Sequence, residues 1–205
     1  IEAIRTLFKL EDEHRDATAE EQQVLSQYVG WGGLADAFDP GKDSWAKEYA
    51  ELKGLLSEDE YAAARSSTLN AHYTSPVVIR SIYDAVEKVG FQSGNILEPS
   101  MGVGNFFGML PTNMADSRLY GVELDSITGR IAKKLYPQAD ITVAGFETTD
   151  RRDFYDLAVG NVPFGNYKVN DKAYNKLGFS IHNYFFAKAI HPVDIYRIGQ
   201  DDPAK

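Results

Sequence analysis

A chain of 205 residues without a single cysteine can form no disulfide, thiolate zinc site or cysteine nucleophile, and its four histidines are scattered without metal-ligand spacing. The length suits one domain, or one domain with a sizeable appendage. No window approaches the roughly 18 apolar residues of a membrane span and no basic-then-apolar leader opens the chain, so a cytoplasmic protein without membrane or metal is the default. The net charge of −9 sits wholly in residues 1–64, which hold 6 basic and 15 acidic side chains, while the remainder holds 15 of each. Nucleic-acid binders usually carry a basic face, so bulk charge argues mildly against one.

The first 66 residues read as helical and open at Ile1 as though inside a helix, the expected look of a piece of a longer polypeptide. Residues 20–29 form an amphipathic stretch with Val24, Leu25 and Tyr28 on one side, broken by "GWGGL", where glycines bracket Trp31. Asp43 is placed to cap a helix over 44–56, and Ser57 with Glu60 has capping-box spacing for a short helix after it. Ser75 caps and Pro76 opens the next helix, whose apolar face reads Val78, Ile79, Ile82, Val86 and Val89 and which Gly90 stops.

From there short apolar strands alternate with helices. "NILEPS", "RLYGVEL", "DITVAG" and "DLAVGN" read as strands; 105–110, 126–135 and 181–190 read as helices. That pattern predicts an α/β fold, a parallel sheet with helices on both faces. Ligands of such sheets bind at the carboxyl ends of the strands, which sets "EPSMGVG", "VELD", "AGFE" and "NVPF" along one edge. Phe164 in "NVPF" then falls where a ligand belongs, although a turn whose Phe folds back onto the core is the simpler reading of those residues alone.

The loop "GVGNFFG" invites a dinucleotide reading, but Gly102 and Gly104 are followed by Phe107 at the third glycine position, which disfavours a pyrophosphate and a nicotinamide oxidoreductase. Glu123 ends the second strand about twenty residues on, placed to accept hydrogen bonds from two ribose hydroxyls, and Glu98 ends the first, placed to face an ammonium group. Adenosine, ribose and ammonium without phosphate describe S-adenosylmethionine.

These motifs resemble those of the adenine-specific, amino-methylating DNA methyltransferases, in the arrangement where the cofactor motifs precede the catalytic one. "HYTSP" (72–76) is similar to the motif before the glycine loop, "LEPSMGVGNFFG" (97–108) to the cofactor loop, "GVELD" (121–125) to the ribose-binding strand end and "NVPF" (161–164) to Asn-Pro-Pro-Tyr/Phe. "YVGWGGL" and "LNAHYTSP" further resemble the methylase regions of very large helicase–methylase proteins of phages and conjugative elements. The resemblance implies a Rossmann-like S-adenosylmethionine-dependent methyltransferase fold over 67–192, truncated relative to the family, with a helical extension over 1–66 and a tail or closing strand over 193–205. It implies cofactor contacts from Tyr73, Thr74, Glu98, Pro99, Gly102, Gly104, Asn105, Phe106, Glu123, Leu124 and Phe146, and catalytic roles for Asn161, Pro163 and Phe164. Three departures stand out: Val162 replaces the first proline of the catalytic motif, Gly145 replaces an acidic residue of many relatives, and the family's target-recognition region is absent.

In that reading Asn161 and a neighbouring carbonyl, of Val162 or Pro163, accept hydrogen bonds from the exocyclic adenine amine and localise its lone pair, and Phe164 stacks on a flipped-out base for about 1–3 kcal/mol. DNA binding is expected to be weak without the recognition region, with a helicase or other domains of a larger protein as further partners. Two alternatives keep the cofactor: a protein-glutamine methyltransferase, and a non-catalytic scaffold module of a mobile-element protein. Trp31 reads as a packing anchor between extension and sheet. Phe106 and Phe107 read as one cofactor cover and one core residue, Phe146 as cofactor stack or core, and Lys168, Lys172 and Lys176 as a solvated face.

Overall fold

The computed structural model describes residues 1–68, 73–151, 153–165 and 167–190. His72, and the closing strand expected after residue 192, lie outside them. The amino-terminal part is helical: α1 (Glu2–Asp12), α2 (Ala19–Ser26), α3 (Ala46–Leu55) and α4 (Glu58–Ser67). The capping box at Ser57 and Glu60 forms as the spacing requires, and Thr18 with Glu21 makes a second one at the start of α2. Asp43 does not cap. It opens a 3-10 turn (Asp43–Trp45), and α3 starts at Ala46 with no side-chain cap, the chain having already turned before a carboxylate at 43 could reach a free N–H.

α5 (Pro76–Lys88) begins on the Ser75 cap, and Gly90 closes it in a left-handed conformation. Its buried stripe is Ile79 and Tyr83 with Ile82 and Val86 beside them, whereas Val78 and Val89 face solvent. Positions 79, 82, 83 and 86 follow the i, i+3, i+4, i+7 rule; 78 and 89 fall on its flank, and the tyrosine takes the place expected for an aliphatic residue.

Four strands follow, β1 (Asn95–Glu98), β2 (Arg118–Glu123), β3 (Asp140–Val143) and β4 (Leu157–Ala158), all parallel in the order β3-β2-β1-β4. α6 (Asn105–Gly108), shorter than the expected 105–110, and α7 (Ser126–Leu135) connect them, and α8 (Ile181–Ile190) closes the described chain. Successive strand residues point to opposite faces. Ile96 therefore packs with Ile79, Tyr83 and Phe106 on one face, while Leu97 packs with Val122, Phe146, Tyr184 and Phe185 on the other. Helices cover both faces, as the sequence pattern predicts.

The helical extension does not hang free. Its apolar residues, among them Leu7, Leu10, Leu25 and Phe38, share one cluster with Ile127 and Ile131 of α7 and Val103 of the glycine loop. The rim is polar: Arg130 of α7 binds Glu11 and Glu60, and Lys134 donates to the Arg15 carbonyl at 2.6 Å.

Candidate functional site

The sheet order reverses at β1, whose neighbours are β2 on one side and β4 on the other, so the switch point lies between the carboxyl ends of β1 and β4. A cavity of about 500 Å³ opens there, within the usual range for small-molecule sites. Every strand end contributes: Glu98 to Val103 after β1, Glu123 to Asp125 after β2, Phe146 and Glu147 after β3, and Asn161 to Pro163 after β4. Tyr73 and Thr74 add the approach to α5, and the extension adds Val29, Gly30, Trp31, Ser66 and Ser67. A second depression, of about 620 Å³, lies at the amino-terminal end of β3 beside Arg130 and gathers none of these groups.

The glycine loop is shaped by two tyrosines that the sequence reading passed over. Gly102 and Gly104 both take left-handed φ, at 57° and 83°. A Cβ on Gly104 would come within 2.6 Å of the Tyr136 ring, and one on Gly108 within 2.7 Å of its hydroxyl. Tyr136 thus fills the space beside Gly104 and Gly108, and it donates to the Gly104 carbonyl at 2.8 Å. From the other side Tyr83 donates to the Phe106 carbonyl at 2.9 Å. Phe106 lines the cavity and also packs with Ile79 and Tyr83, while Phe107 packs into the core against Tyr136.

Two carboxylates face each other across this loop. Glu123 accepts the Gly102 N–H and the Asp125 N–H, each at 2.8 Å, which holds the loop to the end of β2. Burial nevertheless pushes its carboxyl up to about 6, against the two hydrogen bonds and helped by the Asp125 charge. Glu98 is 2 % exposed, and its Oε2 has no hydrogen-bond partner among the described residues. Burial first, and then the Glu123 charge, push its carboxyl well above the ordinary range. A buried carboxylate in this state is restored to its charged form by a cation placed against it. These residues fit the ammonium end of S-adenosylmethionine.

After β4 the chain turns through Asn161 and Pro163, which line the cavity, to Phe164, which does not. Phe164 is 53 % exposed, its ring centroid 6.2 Å from that of His182, so it has not folded back onto the core. Behind this loop Lys188 of α8 is buried in an ion pair with Asp171 at 2.8 Å, and Tyr184 donates to the same carboxylate oxygen at 2.9 Å. Burial raises the Asp171 carboxyl, but the Lys188 and Tyr184 hydrogen bonds outweigh it and hold it below its ordinary value. Lys188 also donates to the Glu147 carbonyl and lies 5.3 Å from the Phe146 ring centre, tying the β3 loop, the β4 loop and α8 together. Lys188→Met is expected to lower stability by about 3–5 kcal/mol in urea unfolding, because Asp171 stays buried without its counter-charge. Adding Asp171→Asn should recover part of the loss.

Of the residues picked out from sequence, Tyr73, Thr74, Glu98, Pro99, Gly102 and Asn105 share this cavity with Phe106, Glu123, Leu124, Phe146, Asn161 and Pro163. Gly104 shapes the loop from behind, and Phe164 sits outside at the surface. Trp31, Asp125 and Glu147 line the cavity without having been assigned to it. Lys188 and Asp171 are joined across 17 residues with no spacing pattern to announce them. Lys168, Lys172 and Lys176 are exposed, as expected of a solvated face. Among the described residues no His, Asp and Glu group is arranged to hold a metal ion, and no helix is long and apolar enough to cross a membrane.

No family model matches the chain. It is similar to the defense against restriction protein B of Escherichia phage P1, 28% identical over 163 residues that make up 77% of this chain and 6% of that protein. It is also similar to the Type II methyltransferase M.CvrRI of Paramecium bursaria Chlorella virus XZ-6E, 34% identical over 93 residues, 45% of this chain and 24% of that protein. The chain therefore spans under a quarter of the length of either relative. Among solved structures it superposes on a Listeria monocytogenes chain described as a class I S-adenosylmethionine-dependent methyltransferase, with a TM-score of 0.50 and 16% identity, covering 94% of this chain and 61% of that one. The fold is that of the class I S-adenosylmethionine-dependent methyltransferases.

Proposed function

We propose that the chain is the methyl-transferring part of a DNA adenine methyltransferase. The observation that carries the reading is the meeting of Glu98 and Glu123 with Asn161 and Pro163 around one cavity at the sheet's switch point. Bound there, S-adenosylmethionine supplies an electrophilic methyl group, and the acidic lining formed by Glu98, Glu123, Asp125 and Glu147 suits its sulfonium and ammonium charges. Glu98 takes the ammonium and Glu123 the ribose hydroxyls. Asn161 accepts a hydrogen bond from the exocyclic amine, drawing the nitrogen towards a tetrahedral geometry, and Pro163 fixes the loop so that this acceptor is preorganised. The amine nitrogen would bond to the methyl carbon as the carbon–sulfur bond breaks, leaving a neutral thioether and shedding a proton to solvent, with no covalent enzyme intermediate, in keeping with a chain that has no cysteine.

The exposed Phe164 supports a nucleic-acid substrate, since a half-bare ring beside the cavity offers a stacking face for an unpaired base. The name of the viral relative, a Type II methyltransferase, points the same way. The test is transfer of labelled methyl from S-adenosylmethionine to duplex and single-stranded DNA, with mass spectrometry of the nucleosides. Methyladenine is the expected product. Label entering protein glutamine would move the substrate to an amide, and cofactor binding without transfer to either would leave a scaffold module.

A further inference from the structure

The turn around Trp31 is poorly explained by packing alone. The side chain is 4 % exposed, edge-on to Tyr28 at 5.9 Å and to Phe38 at 5.4 Å, and it shares the cluster that joins the extension to Val103. Its indole Nε1 is nevertheless buried with no hydrogen-bond partner. Burying an unmade donor costs free energy, and a phenyl ring such as that of neighbouring Phe38 would fill such a place without that cost. Among the described residues three buried side-chain atoms are unpaired in this way, and two of them, Trp31 Nε1 and Glu98 Oε2, belong to residues lining the same cavity.

The two orphans are complementary, one a donor and the other an acceptor. The described lining of the cavity contains four carboxylates and no lysine, arginine or histidine. A ligand whose amino-acid end carries both an ammonium and a carboxylate finds its acceptor in Glu98, but its carboxylate has no cation to meet and depends on neutral N–H and O–H donors. The extension's hydroxyls in that wall are already committed, Ser66 and Ser67 each donating to the Ala63 carbonyl, at 2.8 and 2.7 Å. Among the described residues lining the cavity, the buried side-chain donor without a partner is Trp31 Nε1.

We propose that Trp31 donates its indole N–H to the carboxylate at the amino-acid end of S-adenosylmethionine, which makes the helical extension a part of the cofactor site. The proposal rests on the cofactor reading above. Nε1 itself is covered, and an acceptor reaches it through the side-chain adjustments that binding routinely brings.

The test compares S-adenosylmethionine with decarboxylated S-adenosylmethionine on the parent chain and on Trp31→Phe, by calorimetry. Loss of a hydrogen bond to a charged group should weaken S-adenosylmethionine about tenfold or more in the variant, while affinity for the decarboxylated ligand stays within about twofold of the parent's. An equal loss for both ligands, or no loss for either, overturns the proposal. A parent that binds neither ligand overturns the cofactor reading instead. A second measurement needs no change at position 31. The chain has two tryptophans, so Trp45→Phe assigns the indole N–H resonance of Trp31 in nitrogen-15 spectra. That resonance should move downfield with S-adenosylmethionine and stay in place with the decarboxylated ligand; an unmoved or equally moved resonance refutes the contact.

Discussion

Glu98→Gln is expected to weaken S-adenosylmethionine binding by at least about tenfold while making the free protein no less stable at pH 8, because the residue that serves the ligand is a burden to the fold. Its carboxyl is buried and unpaired at Oε2 and faces the charge of Glu123, with the Tyr83 and Tyr136 hydroxyls also near enough to feel its charge. Burial pushes both carboxyls above the ordinary value of 4.5, Glu123 up to about 6 and Glu98 well above that ordinary value. A carboxyl whose folded pKa is raised favours the folded state fully below its unfolded pKa, and that contribution is lost as pH rises through the folded one. Stability of the free protein should therefore decline from about pH 4.5 upward through pH 6 and beyond. Cofactor affinity should rise over the same interval, since the ammonium needs an ionised partner. Glu98→Gln removes the Glu98 contribution and makes both slopes shallower. Urea unfolding and calorimetry at steps between pH 5 and pH 8 check this; slopes unchanged in the variant would assign the titration elsewhere.

Asn161→Ala is expected to abolish methyl transfer, a loss of at least about a hundredfold on the scale of a preorganised hydrogen-bonding group, with cofactor affinity lowered only modestly. The amide's main partner in the proposed chemistry is the substrate amine. Phe164→Ala separates a stacking role from a packing one. A ring that is 53 % exposed gives little to the core, so the variant's melting temperature should stay near the parent's while its methyl transfer to DNA falls, and Phe164→Tyr should keep both. A core phenylalanine would instead cost about 3–5 kcal/mol on truncation. A large drop in the melting temperature of Phe164→Ala would assign the ring to the fold.

The strand ends, the glycine loop and the Ser57 cap were legible in the sequence because each is written in a few consecutive residues: an apolar run that stops at an acid, glycines where the backbone must turn left-handed, a serine three places before a glutamate. What escaped is long-range. Nothing near Tyr83 or Tyr136 in the chain shows that both hydroxyls pin the loop at residues 104–106, and Lys188 and Asp171 look like ordinary surface residues until the fold buries them together. Trp31 packs as the anchor that its glycine-flanked position suggests, but its unpaired N–H follows from distant neighbours that no local pattern announces. At α5 the apolar pattern is ambiguous in phase, since Val78 and Val89 flank the buried stripe and face solvent.

The ion pair between Glu11 and Arg130 joins residues 119 apart, and the cluster inside it is completed by Ile127 and Ile131. The apolar faces of α1 and α2 are thus covered in full only after α7 has been made. At about 5–20 residues per second that wait is roughly 6–24 s, longer than most small domains need to fold once complete. During that wait part of the apolar surface of α1 and α2 stays bare, and that is where a holding chaperone would bind.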